Sequence, residues 1–283
     1  MTPTHALQNA PKTIASSGPT RPVLRWQGGK WKLAPWIISH FPPHRIYVEP
    51  FGGAASVLLR KPRAYAEIYN DLDGEIVNLF RVLRDRGDQL RQKLELTPFS
   101  RSDFQQSYQP AADPLEQARR TLVRSAMGFG SNAHSKPTGF RSNTTRAFTT
   151  PAHDWRNYPA TIDAIIERLR GVVIENQDAR KLMLAHDGPH TLHYVDPPYV
   201  HATRQRLHLY RHDMTDDDHR QLAAVLGNLA GAVVLSGYRC PLYDELFGDW
   251  DRVERTTMAD GARPRLECLW LRNVTVTPTL FTA

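Results

Sequence analysis

The sequence predicts an α/β domain: a largely parallel sheet flanked by helices and interrupted by a mainly helical insert. Three observations predict it. Beyond Arg21, short apolar runs of strand length alternate with amphipathic stretches. Several of those runs end on a polar residue or a glycine, where open α/β sheets place their ligands. Between Leu79 and Ala164 the pattern turns to helical periodicity, followed by a Gly, Ser, Asn and Thr-rich region over 128–150, and strand-like runs resume only at Gly171.

Taken in order, residues 1–20 are rich in Thr, Ser, Pro and Ala, with Lys12 as their one formal charge and no helical or strand period. They are expected as a flexible tail. An amphipathic helix is expected over 31–41. Strands are expected at 45–49, 64–69, 171–175, 191–195 and 231–236, with the alternating tail 266–276 completing the sheet. Because strand-like runs resume after the helical stretch, an insert spanning 87–159 interrupts a single domain made of 21–86 and 160–283. Its linkers are expected near Gly87 and Pro159.

The 283 residues allow one large domain or two unequal ones at ~150 residues per domain. Apolar residues make up 41% and charged residues 23%, which argues against disorder, a coiled coil or a collagen-like repeat. No apolar run reaches the ~18 residues of a transmembrane helix, and the first residues lack the pattern of a signal peptide; no membrane association and a cytoplasmic location are expected. Cys240 and Cys268 are the two cysteines, too few for a disulfide framework and outside any zinc spacing, so reduced thiols and no metal are expected. Lys and Arg outnumber Asp and Glu by 36 to 29, and this excess of +7 favours a polyanionic partner. From Gln117 to His153 there is no acidic residue, while Arg119, Arg120, Arg124, Lys136, Arg141 and Arg146 fall inside the window, interleaved with Phe129, Phe140 and Phe148. Such a stretch suits phosphates and bases; a solvated basic face on an ordinary helix gives the same pattern.

Four local motifs carry chemistry. Asp196-Pro197-Pro198-Tyr199 directly follows an apolar run. Two prolines stop a central strand and stiffen the chain, holding a carboxylate and an aromatic ring at the sheet edge. That pairing suits methyl transfer to an exocyclic amine: hydrogen bonds to the Asp196 carboxylate and the Pro197 carbonyl localise the nitrogen lone pair, and Tyr199 stacks on the planar base. A strand-ending turn explains the same residues. In Glu49-Pro50-Phe51-Gly52-Gly53-Ala54-Ala55-Ser56 a strand gives way to small residues and then a helix, which lets backbone approach a nucleotide-like cofactor, although tight turns need glycine in any case. Tyr69-Asn70-Asp71-Leu72-Asp73 follows about 20 residues later, where an acidic residue accepts from ribose hydroxyls; the alternative is that Asn70 or Asp71 caps a helix. Arg25-Trp26-Gln27-Gly28-Gly29-Lys30 supplies an indole and an ammonium able to close over a cofactor, or simply a turn before the helix.

In this order the motifs resemble the DNA adenine N6-methyltransferases of the Dam-like, D12 class, found in bacteria and phages. Those enzymes carry Trp-x-Gly-Gly-Lys, then Glu-Pro-Phe-x-Gly, an Asn-Asp-x-Asn-like turn, a DNA-recognition insert, and Asp-Pro-Pro-Tyr. The likeness runs from about Arg21 to the C-terminus. It implies a Rossmann-like methyltransferase sheet with an inserted DNA-recognition lobe, and S-adenosylmethionine as cofactor. By resemblance Trp26, Lys30, Glu49, Phe51, Gly53, Asp71, Asp178 and Asp196 line the cofactor site, while Asp196, Pro197, Pro198 and Tyr199 form the catalytic site. Two departures stand out: Ala55 replaces a further glycine, and Asp73 replaces the usual Asn. The target adenine is paired and stacked in duplex DNA, so it is expected to be flipped into the pocket. Arg124, Asn132, Lys136, Arg141 and Arg146 of the insert are the expected DNA contacts, because Arg and Lys suit guanine or phosphate and Asn suits adenine. A second acid-free run, 200–212, adds Arg204. Ser236-Gly237-Tyr238 is expected to support the target pocket.

Double-stranded DNA is the expected partner, with a cognate restriction nuclease where such a system exists, and the chain is expected as a monomer or weak dimer in a bacterial or phage-infected cell. The rival readings are a cytosine N4-methyltransferase, which more often shows Ser-Pro-Pro-Tyr, and a non-catalytic DNA-binding protein that keeps the fold. A protein or small-molecule methyltransferase would carry Asn-Pro-Pro-Tyr, and a dinucleotide oxidoreductase needs a fuller Gly-x-Gly-x-x-Gly turn.

Overall fold

Five apolar runs become parallel strands: β1 (Ile46–Glu49), β2 (Ala66–Asn70), β3 (Val172–Glu175), β4 (Thr191–Val195) and β5 (Ala232–Gly237). The structure, a computed structural model, describes residues 18–131, 133, 136–145, 148–204, 211–258 and 264–274. Every residue of β4 and β5 is buried, as strands covered on both faces require, and this is why they read as mainly apolar runs. Two antiparallel strands, β6 (Asp251–Met258) and β7 (Pro264–Arg272), extend the sheet to the order β3-β2-β1-β4-β5-β7-β6. β6 is absent from the expected strands. At the edge of the sheet it is exposed apart from half-buried Val253 and Thr257 among its described side chains, so no apolar alternation marks it.

The helices, in order, are α1 (Ala34–Ile38), α2 (Ser56–Arg60), α3 (Gly74–Glu95), α4 (Arg101–Gln106), α5 (Pro114–Met127), α6 (Pro151–Arg156), α7 (Ile162–Leu169), α8 (Ala179–Ala185), α9 (Asp216–Leu226) and α10 (Pro241–Leu246). Their starts follow from sequence. Asp73, Asp113, Thr150, Asp178 and Thr215 accept backbone N–H groups as caps of α3, α5, α6, α8 and α9, and Pro114 and Pro151 sit in first turns where their missing N–H costs nothing.

Near the expected linker at Gly87, α3 breaks and continues: its backbone is non-helical at Arg86, and a Cβ on Gly87 would lie 2.4 Å from Ile166 Cδ1, so this glycine lets α3 and α7 touch. Beyond that helix, α4, α5 and α6 bury Phe104, Leu122 and Trp155 in one apolar cluster with Tyr47 of β1, Tyr69 of β2 and Phe80 of α3. The region over 87–159 therefore shares the core of the sheet. Among the described residues, no helix is long and apolar enough to cross a membrane.

Candidate active site

β1 and β4 are neighbours in the sheet, while the chain leaves them for β2 on one side and β5 on the other, which opens a crevice at their carboxyl ends. Glu49 ends β1, and Asp196 follows β4. A single pocket brings them together with residues of all four motifs: Trp26 and Lys30, Phe51 and Gly53, Asp71 and Asp73, and Pro197 and Pro198, with Asp178 on its wall.

The floor is backbone. A Cβ on Gly52 would strike the Tyr69 ring at 2.1 Å, and one on Gly53 would reach Trp26 Nε1 at 2.6 Å, so the two rings pack where side chains would stand. Gly53 has φ +46 and Ala55 φ +52. The left-handed Ala55, fully buried, carries about 1–2 kcal/mol of steric strain that the family's more usual glycine would avoid. Tyr69 donates its hydroxyl to the Gly53 carbonyl at 2.8 Å. Asn70 Nδ2 donates to the carbonyls of Pro50 and Gln177 at 2.9 and 3.0 Å, tying together the loops that follow β1, β2 and β3.

Asp71 Oδ2 accepts the Gly53 N–H and Oδ1 the Asp73 N–H, both at 2.8 Å. Burial pushes its carboxyl up to about 6 against those two bonds. The cap of α3 is Asp73, three residues beyond Asn70 and two beyond Asp71, which leaves Asp71 to line the pocket. Asp178 combines two duties. It caps α8 through the N–H groups of Arg180 and Lys181, and the Arg180 guanidinium holds its carboxyl below the usual range. Glu49 Oε2 accepts the Tyr47 hydroxyl at 2.7 Å and the Leu58 N–H at 2.9 Å, yet burial raises its carboxyl to about 8, which keeps it mostly protonated at neutral pH.

Asp196 is the centre of a second cluster. Ser236 Oγ donates to Oδ1 at 2.7 Å, and Lys30 Nζ lies 2.9 Å from the same oxygen. Lys30 Nζ is also 4.8 Å from the centroid of the Tyr199 ring, whose edge-on neighbour is Tyr238 at 4.8 Å and 79°. Two buried groups of this cluster lie outside the sequence-based site: Tyr194, which lines the pocket, and Glu267 of β7, which accepts the Tyr199 hydroxyl. A carboxylate inside an apolar strand was the available signal for Glu267.

Two of the expected DNA contacts need correction. Arg124 is 5% exposed; its guanidinium pairs with Glu75 and donates to the Ser107 carbonyl, because burial of a charge demands partners. Arg204 has a side chain 4% exposed and pairs with Asp213 at 2.5 Å. Lys136 is exposed, Arg141 is half-buried and donates to the Ala126 carbonyl at 2.8 Å, and Asn132 and Arg146 lie outside the described residues. Phe129 and Phe148 are exposed on the same region. Among the described residues no group of three or more His, Cys, Asp or Glu side chains is disposed to hold a metal ion.

The chain matches the family model for D12 class N6 adenine-specific DNA methyltransferase over residues 26–260. It is 26% identical over 271 residues to the Type II methyltransferase M1.LlaDCHI of Lactococcus lactis subsp. cremoris, covering 86% of this chain and 90% of the relative. Shorter matches are to the DNA adenine methylases of Serratia marcescens, 37% identical over 24% of this chain and 25% of that protein, and of Escherichia coli strain K12, 28% identical over 38% and 41%. The order of motifs along one sheet edge and the match over most of the chain agree: this protein is an enzyme of the D12 class of adenine-specific DNA methyltransferases.

Proposed function

We propose that the pocket binds S-adenosylmethionine and that its methyl group goes to the N6 amine of an adenine swung out of double-stranded DNA. The observation that carries the reading is the Asp196 carboxylate, fixed after β4 in one pocket with the Gly52-Gly53 floor and Asp71. The residues suit the group. The side-chain-free floor admits a nucleoside against backbone, Asp71 and Asp178 offer carboxylate acceptors for ribose hydroxyls and an adenine amine, and Trp26, Lys30, Glu49 and Phe51 complete the walls. Bound S-adenosylmethionine supplies an electrophilic methyl group.

The chain's own residues prepare the nucleophile. An exocyclic amine is poorly reactive because its lone pair is conjugated with the ring. Donation of its N–H groups to the Asp196 carboxylate and the Pro197 carbonyl localises that pair on nitrogen, and hydrogen bonds to a carboxylate strengthen as positive charge grows there. Pro197 and Pro198 hold the carbonyl and the carboxylate rigidly, and Tyr199 provides a stacking face worth ~1–3 kcal/mol. Ser236 fixes Asp196 from β5.

Inside the duplex the amine is out of reach, so the base leaves the stack at a cost of a few kcal/mol. Exposed Lys136 and half-buried Arg141 supply cations for phosphates, and the exposed rings of Phe129 and Phe148 suit contact with unstacked bases. Incubation of the protein with unmethylated double-stranded DNA and labelled S-adenosylmethionine, followed by nucleoside mass spectrometry, tests donor and target together. Label in N6-methyladenine is the expected result. Label in N4-methylcytosine, or in no nucleoside, would overturn it.

A further inference from the structure

We propose that Glu267 of β7 is a positioning residue for methyl transfer, holding the Tyr199 ring in place and receiving the Lys30 ammonium when the target base takes Asp196; this rests on the reading of the site given above. Glu267 belongs to none of the sheet-edge motifs. It is 3% exposed and is followed in β7 by buried Cys268, Leu269 and Trp270. A carboxylate there needs partners, and both come from the site. The Tyr199 hydroxyl donates to Oε1, and Lys30 Nζ lies 3.9 Å from the same oxygen.

Lys30 stands between two carboxylates, 2.9 Å from Asp196 and 3.9 Å from Glu267, and over the face of Tyr199. An adenine amine that donates to Asp196 and stacks on Tyr199 competes for the ground the ammonium holds. A buried ammonium leaves one carboxylate at low cost only for another, and Glu267 is the neighbour able to receive it. The same carboxylate sets the plane of the ring. With its hydroxyl held by Glu267 and the Tyr238 ring edge-on beside it, Tyr199 has its stacking face fixed before the base arrives. Burial pushes the Glu267 carboxyl up, and the Lys30 ammonium and the Tyr199 hydroxyl pull against that rise.

A merely structural acceptor for the Tyr199 hydroxyl needs no charge, and glutamine would serve; a landing place for Lys30 does need it. Glu267→Gln therefore separates the two roles. With labelled S-adenosylmethionine and saturating duplex DNA, the single-turnover rate of Glu267→Gln is expected to fall about 10–100-fold, while its affinity for S-adenosylmethionine stays within about threefold of wild type. Tyr199→Phe keeps the ring and removes the contact from the other side. Because both act through one cluster, the double variant is expected to be no slower than the slower single variant by more than about threefold. A wild-type rate in Glu267→Gln, a loss of cofactor affinity as large as the loss of rate, or effects that multiply in the double variant would overturn the proposal. Should Glu267→Gln not fold, a wild-type rate in Tyr199→Phe overturns it alone. A wild-type protein that transfers no methyl group to adenine sinks the reading of the site and this inference with it; transfer by wild type and by Glu267→Gln alike sinks only the inference.

Discussion

The pocket and the insert treat charge in opposite ways. At the pocket, carboxylates are satisfied largely by backbone N–H groups: Asp71 by those of Gly53 and Asp73, Asp178 by those of Arg180 and Lys181, Glu49 by that of Leu58. In the insert, cations are satisfied by acidic side chains, one on their own helix and others brought in by the fold. Arg119 pairs with Glu116 and Asp103, Arg120 with Glu116, and Arg124 with Glu75, whose carboxylate also accepts from Gln117, Thr121 and Arg211. Three basic groups around Glu116, Arg119 foremost, hold its carboxyl down to about 2. An acid-free window is therefore not a free basic face. The partners of its arginines lie before the window begins: Glu116 one turn earlier on α5, and Asp103 and Glu75 brought in by folding.

The sharpest way to break that contrast is Arg124→Ala. Removing one member of a buried pair strands the other, so stability is expected to fall by about 3–5 kcal/mol in denaturant unfolding. In whatever fraction remains folded, the salt dependence of DNA binding should be unchanged; a flatter salt dependence with full stability would return Arg124 to the DNA surface.

Glu49 sharpens the other half of the contrast. Its carboxyl rises from the usual 4.5 to about 8, so between those values the unfolded chain gives up a proton that the folded chain keeps. Glu49's contribution is thus fully present below about pH 4.5 and is lost as pH rises toward 8, at about 1.4 kcal/mol per pH unit at most. Burial lowers His219 to about 4, and between that value and 6.5 it acts with the opposite sign. The difference between wild type and Glu49→Gln isolates the carboxyl: unfolding free energies measured across this range should show the variant gaining relative stability with pH, and parallel curves would contradict the assignment.

The smallest effect on stability belongs to Lys136→Ala. Exposed as it is, the residue should cost less than about 0.5 kcal/mol, while the slope of log affinity for duplex DNA against log salt becomes shallower by about 0.9. An unchanged slope would move the DNA surface away from this loop.

Much of the sheet was legible because buried parallel strands are mainly apolar on both faces, as in β4 and β5, and β6 was not because an exposed edge strand has no apolar face to display. Gly87 marks two things at once: the helix kinks at neighbouring Arg86, and the missing side chain admits Ile166 of α7. The pocket motifs were legible because three are strand ends with their own turns and the fourth, Trp26 to Lys30, is a glycine turn shortly before α1. Glu267 was not, since its partner Tyr199 is 68 residues distant and Lys30 stands near the other end of the chain. Nothing local to β7 announces that meeting except a carboxylate where an apolar residue would pack.

The central claim is that Asp196 activates the amine and that the cofactor site forms independently of that step. Asp196→Ala tests it most directly, by measuring methyl transfer to duplex DNA and the affinity for S-adenosylmethionine on one preparation. Transfer is expected to fall by at least about 10²–10³-fold, with cofactor still bound and the fold intact. Near-normal transfer in that variant would contradict the claim.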